Sequence, residues 1–129
     1  MSLDEHDQSA STILVVEDEI MLLMVVAETL RDAGHIVWEA ENSERALAIL
    51  NDRPEIELMI TDVKMPGISG YQLADLALAM RPALKVLVMT GYAHDPFPAK
   101  HAGIPVLYKP FDFNKLPDIV GQMLHGTSH

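Results

Sequence analysis

Four apolar runs in this chain each stop at residues able to do chemistry: residues 13–16 at Glu17 and Asp18, 58–61 at Asp62, 86–89 at Thr90, and 106–108 at Lys109. Three carboxylates gathered within about 4 Å would repel by roughly 4 kcal/mol per pair at the dielectric of a protein surface. They need a cation or a proton. An all-oxygen set suits a hard divalent ion, Mg2+ with Mn2+ as a substitute, which keeps its waters and takes one or two carboxylates directly. Lys109 adds a permanent positive charge, and the Thr90 hydroxyl with the turn amides after Asp62 adds donors, so the group could cradle an oxyanion. An aspartate between a metal and a lysine can attack a phosphorus whose oxygens those cations neutralise, giving an aspartyl phosphate.

Each residue also has a plainer explanation. Glu17 and Asp18 could only start a helix, where acids are favoured, Asp62 and Thr90-Gly91 could be turn residues, and Lys109 could be a solvated charge. Turn statistics account for any one of these; their conjunction at successive strand ends favours a shared site.

The elements that must position them alternate between short apolar runs and segments of helical period, the pattern of a parallel α/β sheet. Strands are expected at residues 13–16, 36–40, 58–61, 86–89 and 106–108. The first helix carries Leu23, Val26, Ala27 and Leu30 on one face, with Gly34 placed to end it. A second is capped by Asn42 or Ser43 and buries Ala46, Ile49 and Leu50; a third is capped by Ser69, with Leu73, Leu76, Ala77 and Met80 on its apolar face. Pro96 and Pro98 limit any helix in residues 93–103, and the last helix presents Leu116, Ile119, Val120 and Met123 while Pro117 makes it start late or bend. This is a three-layer doubly wound sheet, in which ligands bind beyond the carboxyl ends of the strands. Met21, Leu22, Met24 and Val25 make the first helix apolar nearly all round, which suits either packing on the last helix or docking of a partner protein or a second copy.

With 129 residues the chain fits one domain, expected at 12–125 between a polar tail of residues 1–11 and a short tail of 126–129. Nine Lys and Arg against nineteen Asp and Glu give a net charge of −10, which argues against direct binding of nucleic acid or anionic membranes. The absence of Cys excludes disulfides, thiolate zinc sites and a cysteine nucleophile. No apolar run approaches the roughly 20 residues of a membrane span, residues 1–11 lack the apolar core of a secretory signal, and a cytoplasmic location is expected. The six His show no metal-ligand spacing.

Val15-Val16-Glu17-Asp18, Thr61-Asp62-Val63-Lys64-Met65-Pro66-Gly67 with Gly70, Met89-Thr90-Gly91 and Lys109-Pro110-Phe111 together resemble the receiver domain of bacterial two-component response regulators, over about residues 12–124. The resemblance implies a flavodoxin-like fold of strand order 2-1-3-4-5. It implies that Asp62 accepts a phosphoryl group from the phosphohistidine of a sensor histidine kinase or phosphotransfer protein. Asp18, Asp62 and the main-chain carbonyl of Lys64 would ligate Mg2+, with Glu17 acting through a water; Thr90 and Lys109 would hold the phosphoryl oxygens. The Lys109-Pro110 peptide would be cis. Most members carry an aromatic residue where this chain has Val106, so the usual rotating switch is absent. Tyr92, Tyr108 and Pro105 are similar to those of stand-alone receivers of the FAT GUY type, and Tyr92 with residues 93–103 is the expected carrier of the conformational signal.

The expected role is therefore a phosphoacceptor that signals through a downstream protein target, as a monomer or weak homodimer, since nothing after Leu124 suffices for an output domain. Its output face would comprise the fourth helix, fifth strand and fifth helix. Alternatives are a receiver excised from a hybrid histidine kinase or larger regulator, an unphosphorylated pseudo-receiver, and an aspartyl-phosphate phosphohydrolase. The last places its nucleophile on the first strand with a second Asp two residues on, where Lys64 follows Asp62 here.

Overall fold

The computed structural model describes residues 11–91, 103–109 and 112–125. Five parallel strands, β1 (Thr12–Val16), β2 (Ile36–Ala40), β3 (Ile56–Asp62), β4 (Lys85–Thr90) and β5 (Val106–Tyr108), lie in the order β2-β1-β3-β4-β5. Helices α1 (Ile20–Asp32), α2 (Ser43–Asp52), α3 (Gly70–Met80) and α4 (Leu116–His125) connect or follow them. The sheet order and the alternation of elements are those expected.

The strands are buried because apolar side chains leave both faces. Along β1, Ile13 and Val15 enter a core shared with Leu23, Val26, Ala27 and Leu30 of α1 and Leu116 and Val120 of α4. Leu14 and Val16 point the other way, into a core with Ala46, Ile49 and Leu50 of α2 and Leu73, Ala74 and Ala77 of α3. Both cores take buried residues from β1 to β4, and the short β5 packs half-buried Val106 against one and Leu107 against the other.

Helix ends follow local chemistry. Asn42 caps α2 by accepting the Arg45 amide at 2.7 Å, Gly34 takes φ +100° after α1, and Ser69 and Gln72 close a reciprocal capping box on α3. Pro117 lies in the first turn of α4, where no intrahelical amide is required, after a 3-10 turn at Phe113–Lys115 capped by Asp112. Trp38 of the edge strand β2 packs on the α2 side, with the Arg53 guanidinium 4.4 Å from its ring centre.

Two expectations are corrected and one open alternative is narrowed. Leu76 and Met80 are not on the buried face of α3: they are 47% and 43% exposed, and the buried arc is Gly70, Leu73, Ala74 and Ala77. The small residues of that arc turn toward the sheet and allow close approach of the helix. β3 and β4 are longer than the apolar runs, because backbone pairing continues through Asp62 and Thr90. Of the two readings left open for α1, the exposure favours an uncovered face: Met21, Met24 and Val25 are exposed together with Ile20, and only Leu22 of that set packs against the core. Residues 93–102, Tyr92 and the Lys109-Pro110 peptide lie outside the described residues. Among the described residues no helix is long and apolar enough to cross a membrane.

Candidate functional site

Parallel register brings the reactive residues level. Val16 pairs with Thr61 across β1 and β3, Asp62 with Met89 across β3 and β4, and Thr90 with Tyr108 across β4 and β5. The residue after each strand is then fixed by one more backbone bond: the Glu17 amide donates to the Ala40 carbonyl at 3.0 Å, that of Val63 to Met89 at 3.0 Å and that of Lys109 to Thr90 at 2.7 Å. Side chains from β1, β3 and the end of β5 thus open onto one rim beside Thr90.

Glu17, Asp18 and Asp62 each offer a carboxylate oxygen, all within 4.8 Å of one another. Glu17 and Asp62 are buried whereas Asp18 is exposed. The Lys109 ammonium donates to Asp62 Oδ2 at 2.9 Å and to Glu17 Oε1 at 3.4 Å, and the Glu19 amide donates to Glu17 Oε2 at 3.1 Å. The Lys64 amide donates to Asp62 Oδ1 at 3.4 Å, so it is the turn amide that reaches the central carboxylate. Thr90 is buried at the end of β4.

The electrostatics follow from this crowding. Burial, reinforced by the Asp62 charge, raises the Glu17 carboxyl to about 7, against the opposing pull of the Glu19 amide and Lys109. Burial alone would lower Lys109, but its bond to Asp62 and the charges of Asp62 and Glu17 outweigh that and raise it. One ammonium cannot neutralise three carboxylates, and the surplus negative charge on oxygen ligands fits a hard divalent cation such as Mg2+. The exposed Asp18 leaves this cluster open to solvent.

The expected set of Glu17, Asp18, Asp62 and Lys109 is brought together, with Thr90 on the adjoining strand end. The switch candidates divide: Val106 is half-buried against the core, Tyr108 is 48% exposed at the sheet edge, and Tyr92 lies outside the described residues. Residue typing alone misses how the turn after Asp62 is held, for the Gly70 amide donates to the Val63 carbonyl at 2.8 Å. A glycine opening a capped helix eight positions on was the available signal.

A family model described as the response regulator receiver domain matches residues 13–121. The chain is 34% identical over 116 residues to the response regulator protein FleR of Pseudomonas aeruginosa, covering 88% of this chain but 24% of FleR. It is 31% identical over 115 residues to the receiver protein CpdR of Brucella abortus, covering 87% of this chain and 95% of CpdR. Among solved structures, the response regulator TrrA of Thermotoga maritima in complex with Mg(2+)-BeF superimposes with a TM-score of 0.80 at 30% identity, over 88% of this chain and 99% of that one. TrrA has also been solved with the histidine kinase ThkA, where the TM-score is 0.78 over 88% of this chain and 98% of TrrA.

Proposed function

The chain belongs to the response regulator receiver domain family, and on that premise we propose that Asp62 is its phosphoacceptor. The observation that carries this reading is the Lys109 ammonium 2.9 Å from Asp62 Oδ2, beside two further carboxylates at the same rim. An Asp62 oxygen attacks the phosphorus of a phosphohistidine; the phosphorus–nitrogen bond breaks, and the imidazole keeps that electron pair and takes up a proton. Lys109 is placed to neutralise charge on the transferred group, and the Thr90 hydroxyl and the Lys64 amide are its proposed donors. Asp18, Asp62 and the Lys64 carbonyl would hold Mg2+, with Glu17 acting through a water; the bound ion would supply charge neutralisation at the phosphoryl oxygens.

The proposed donor is a sensor histidine kinase or phosphotransfer protein, in keeping with the complex of the related TrrA with a kinase. The exposed apolar stripe of Ile20, Met21, Met24 and Val25 begins next to Asp18 and is the proposed kinase-docking face. Such a partner implies a cytoplasmic location and output through a protein target rather than turnover of a substrate. With Val106 in place of an aromatic, the signal is assigned to Tyr92 and residues 93–103. Chemical shifts of that segment should move on adding beryllofluoride with Mg2+, and unchanged shifts refute the assignment.

Intact-mass measurement after incubation with acetyl phosphate and Mg2+ tests the main reading. One phosphoryl group should be gained by the wild type and none by Asp62→Asn. Multiple turnovers of a phosphate ester without stoichiometric labelling would favour the phosphohydrolase reading instead.

A further inference from the structure

The first turn of α3 rests directly on the main chain of Asp62. A Cβ built on Gly70 would lie 2.1 Å from the Asp62 carbonyl oxygen, 2.9 Å from its carbonyl carbon and 2.9 Å from Val63 Cα. None of these atoms is the far end of a flexible side chain. The Gly70 amide is bonded to the Val63 carbonyl at 2.8 Å, and the Thr61 hydroxyl donates to the same Asp62 carbonyl at 3.0 Å. On its other side this peptide is fixed by the Val63 amide on Met89. The backbone that carries the acceptor carboxylate is therefore clamped between the sheet and a helix end that fits only because residue 70 has no side chain.

We propose that Gly70 is a positioning residue for phosphoryl transfer, setting the place of the Asp62 carboxylate through main-chain contact. The inference rests on the reading of Asp62 as the acceptor. Ordinary contact begins at 3.4 Å, so a methyl group at residue 70 forces the helix end and the Asp62 peptide about 1.3 Å apart. β3 lies at the centre of the sheet between β1 and β4, and α3 is held by its capping box, so the displacement falls on the turn between them. That turn contains the Lys64 amide bonded to Asp62 Oδ1.

Gly70→Ala should be labelled by acetyl phosphate about a hundredfold more slowly at saturating donor, the effect of misplacing a reacting group by roughly 1 Å. The donor concentration giving half the maximal rate should change little. Ser69→Ala is the comparison, because it weakens the same helix by removing its cap while adding nothing against Asp62. Both variants are assayed at a temperature where circular dichroism reports full folding. Ser69→Ala should retain wild-type labelling; equal slowing in the two variants, or wild-type labelling by folded Gly70→Ala, overturns the inference. Failure of the wild type itself to be labelled would instead refute the acceptor reading. Should Gly70→Ala not fold, the wild-type amide resonance of Gly70 decides: it should shift on adding beryllofluoride and Mg2+ while that of Gly121 stays fixed, and an unmoved Gly70 overturns the inference.

Discussion

Replacing Glu17 by Gln should change the pH dependence of stability more than any other conservative substitution at the rim. The carboxyl is 1% exposed and is raised from 4.5 to about 7, chiefly by burial. The folded protein thus keeps a proton that the unfolded chain has released between these values, so raising the pH favours unfolding. Glu17's contribution is fully present below pH 4.5, is lost as pH rises toward 7, and is flat beyond. A shift of this size corresponds to about 3 kcal/mol. More than roughly 2 kcal/mol of that should be lost between pH 5 and pH 8. Glu17→Gln has no proton to lose and should lack this decline. His35 acts oppositely, since burial, aided by the neighbouring His125 charge and opposed by Glu57, lowers it and makes stability rise with pH below 6.5. It is common to both proteins, so their difference isolates Glu17. Urea unfolding followed by circular dichroism at several pH values, with chelator and then with Mg2+, measures it. With chelator the variant should gain on the wild type as pH rises; Mg2+ should narrow the gap, because it favours ionised Glu17. A difference constant within about 0.5 kcal/mol from pH 5 to pH 8 would refute the argument, since an ordinary Glu produces that result.

Lys109→Met removes the internal cation that competes for Asp62 and Glu17; calorimetry should show tighter Mg2+ binding while acetyl phosphate labels Asp62 at least about tenfold more slowly. Arg81→Ala deletes a guanidinium that donates to the carbonyls of Arg53, Pro54 and Ile56, and should destabilise the protein by about 2 kcal/mol in urea without altering labelling. Gly121→Ala adds a methyl in open space within α4, and thermal melts should show a gain of about 0.5–1 kcal/mol.

The rim was legible because a parallel sheet has one functional edge and each apolar run stops at it; reading where Val16, Thr61, Met89 and Tyr108 end is enough to bring Glu17, Asp62, Thr90 and Lys109 together. The rotation of α3 was not legible. Leu73, Leu76, Ala77 and Met80 satisfy helical periodicity as well as the arc that is buried, and the close approach of Gly70 to the Asp62 main chain that accompanies the observed arc is encoded in no hydrophobic pattern. Strand lengths were underestimated for a related reason: the backbone ladder continues through Lys85 and Asp62 whatever their side chains prefer. On α1 the pattern identified surplus apolar residues but could not tell solvent from a neighbour; the fold leaves Met21 73% exposed.

The stacking of Arg53 on Trp38 has a practical corollary. This is the sole indole of the chain; Trp38 is the middle residue of the edge strand β2, level with Leu14 of β1, and its cation sits just past the C-terminal end of α2. Its emission should therefore report melting of the edge strand and of the end of α2 that packs on it. An experimenter gains a gauge of integrity for that side of the sheet, and with no native thiol to compete, a cysteine introduced near residue 18 could carry a second dye for the rim.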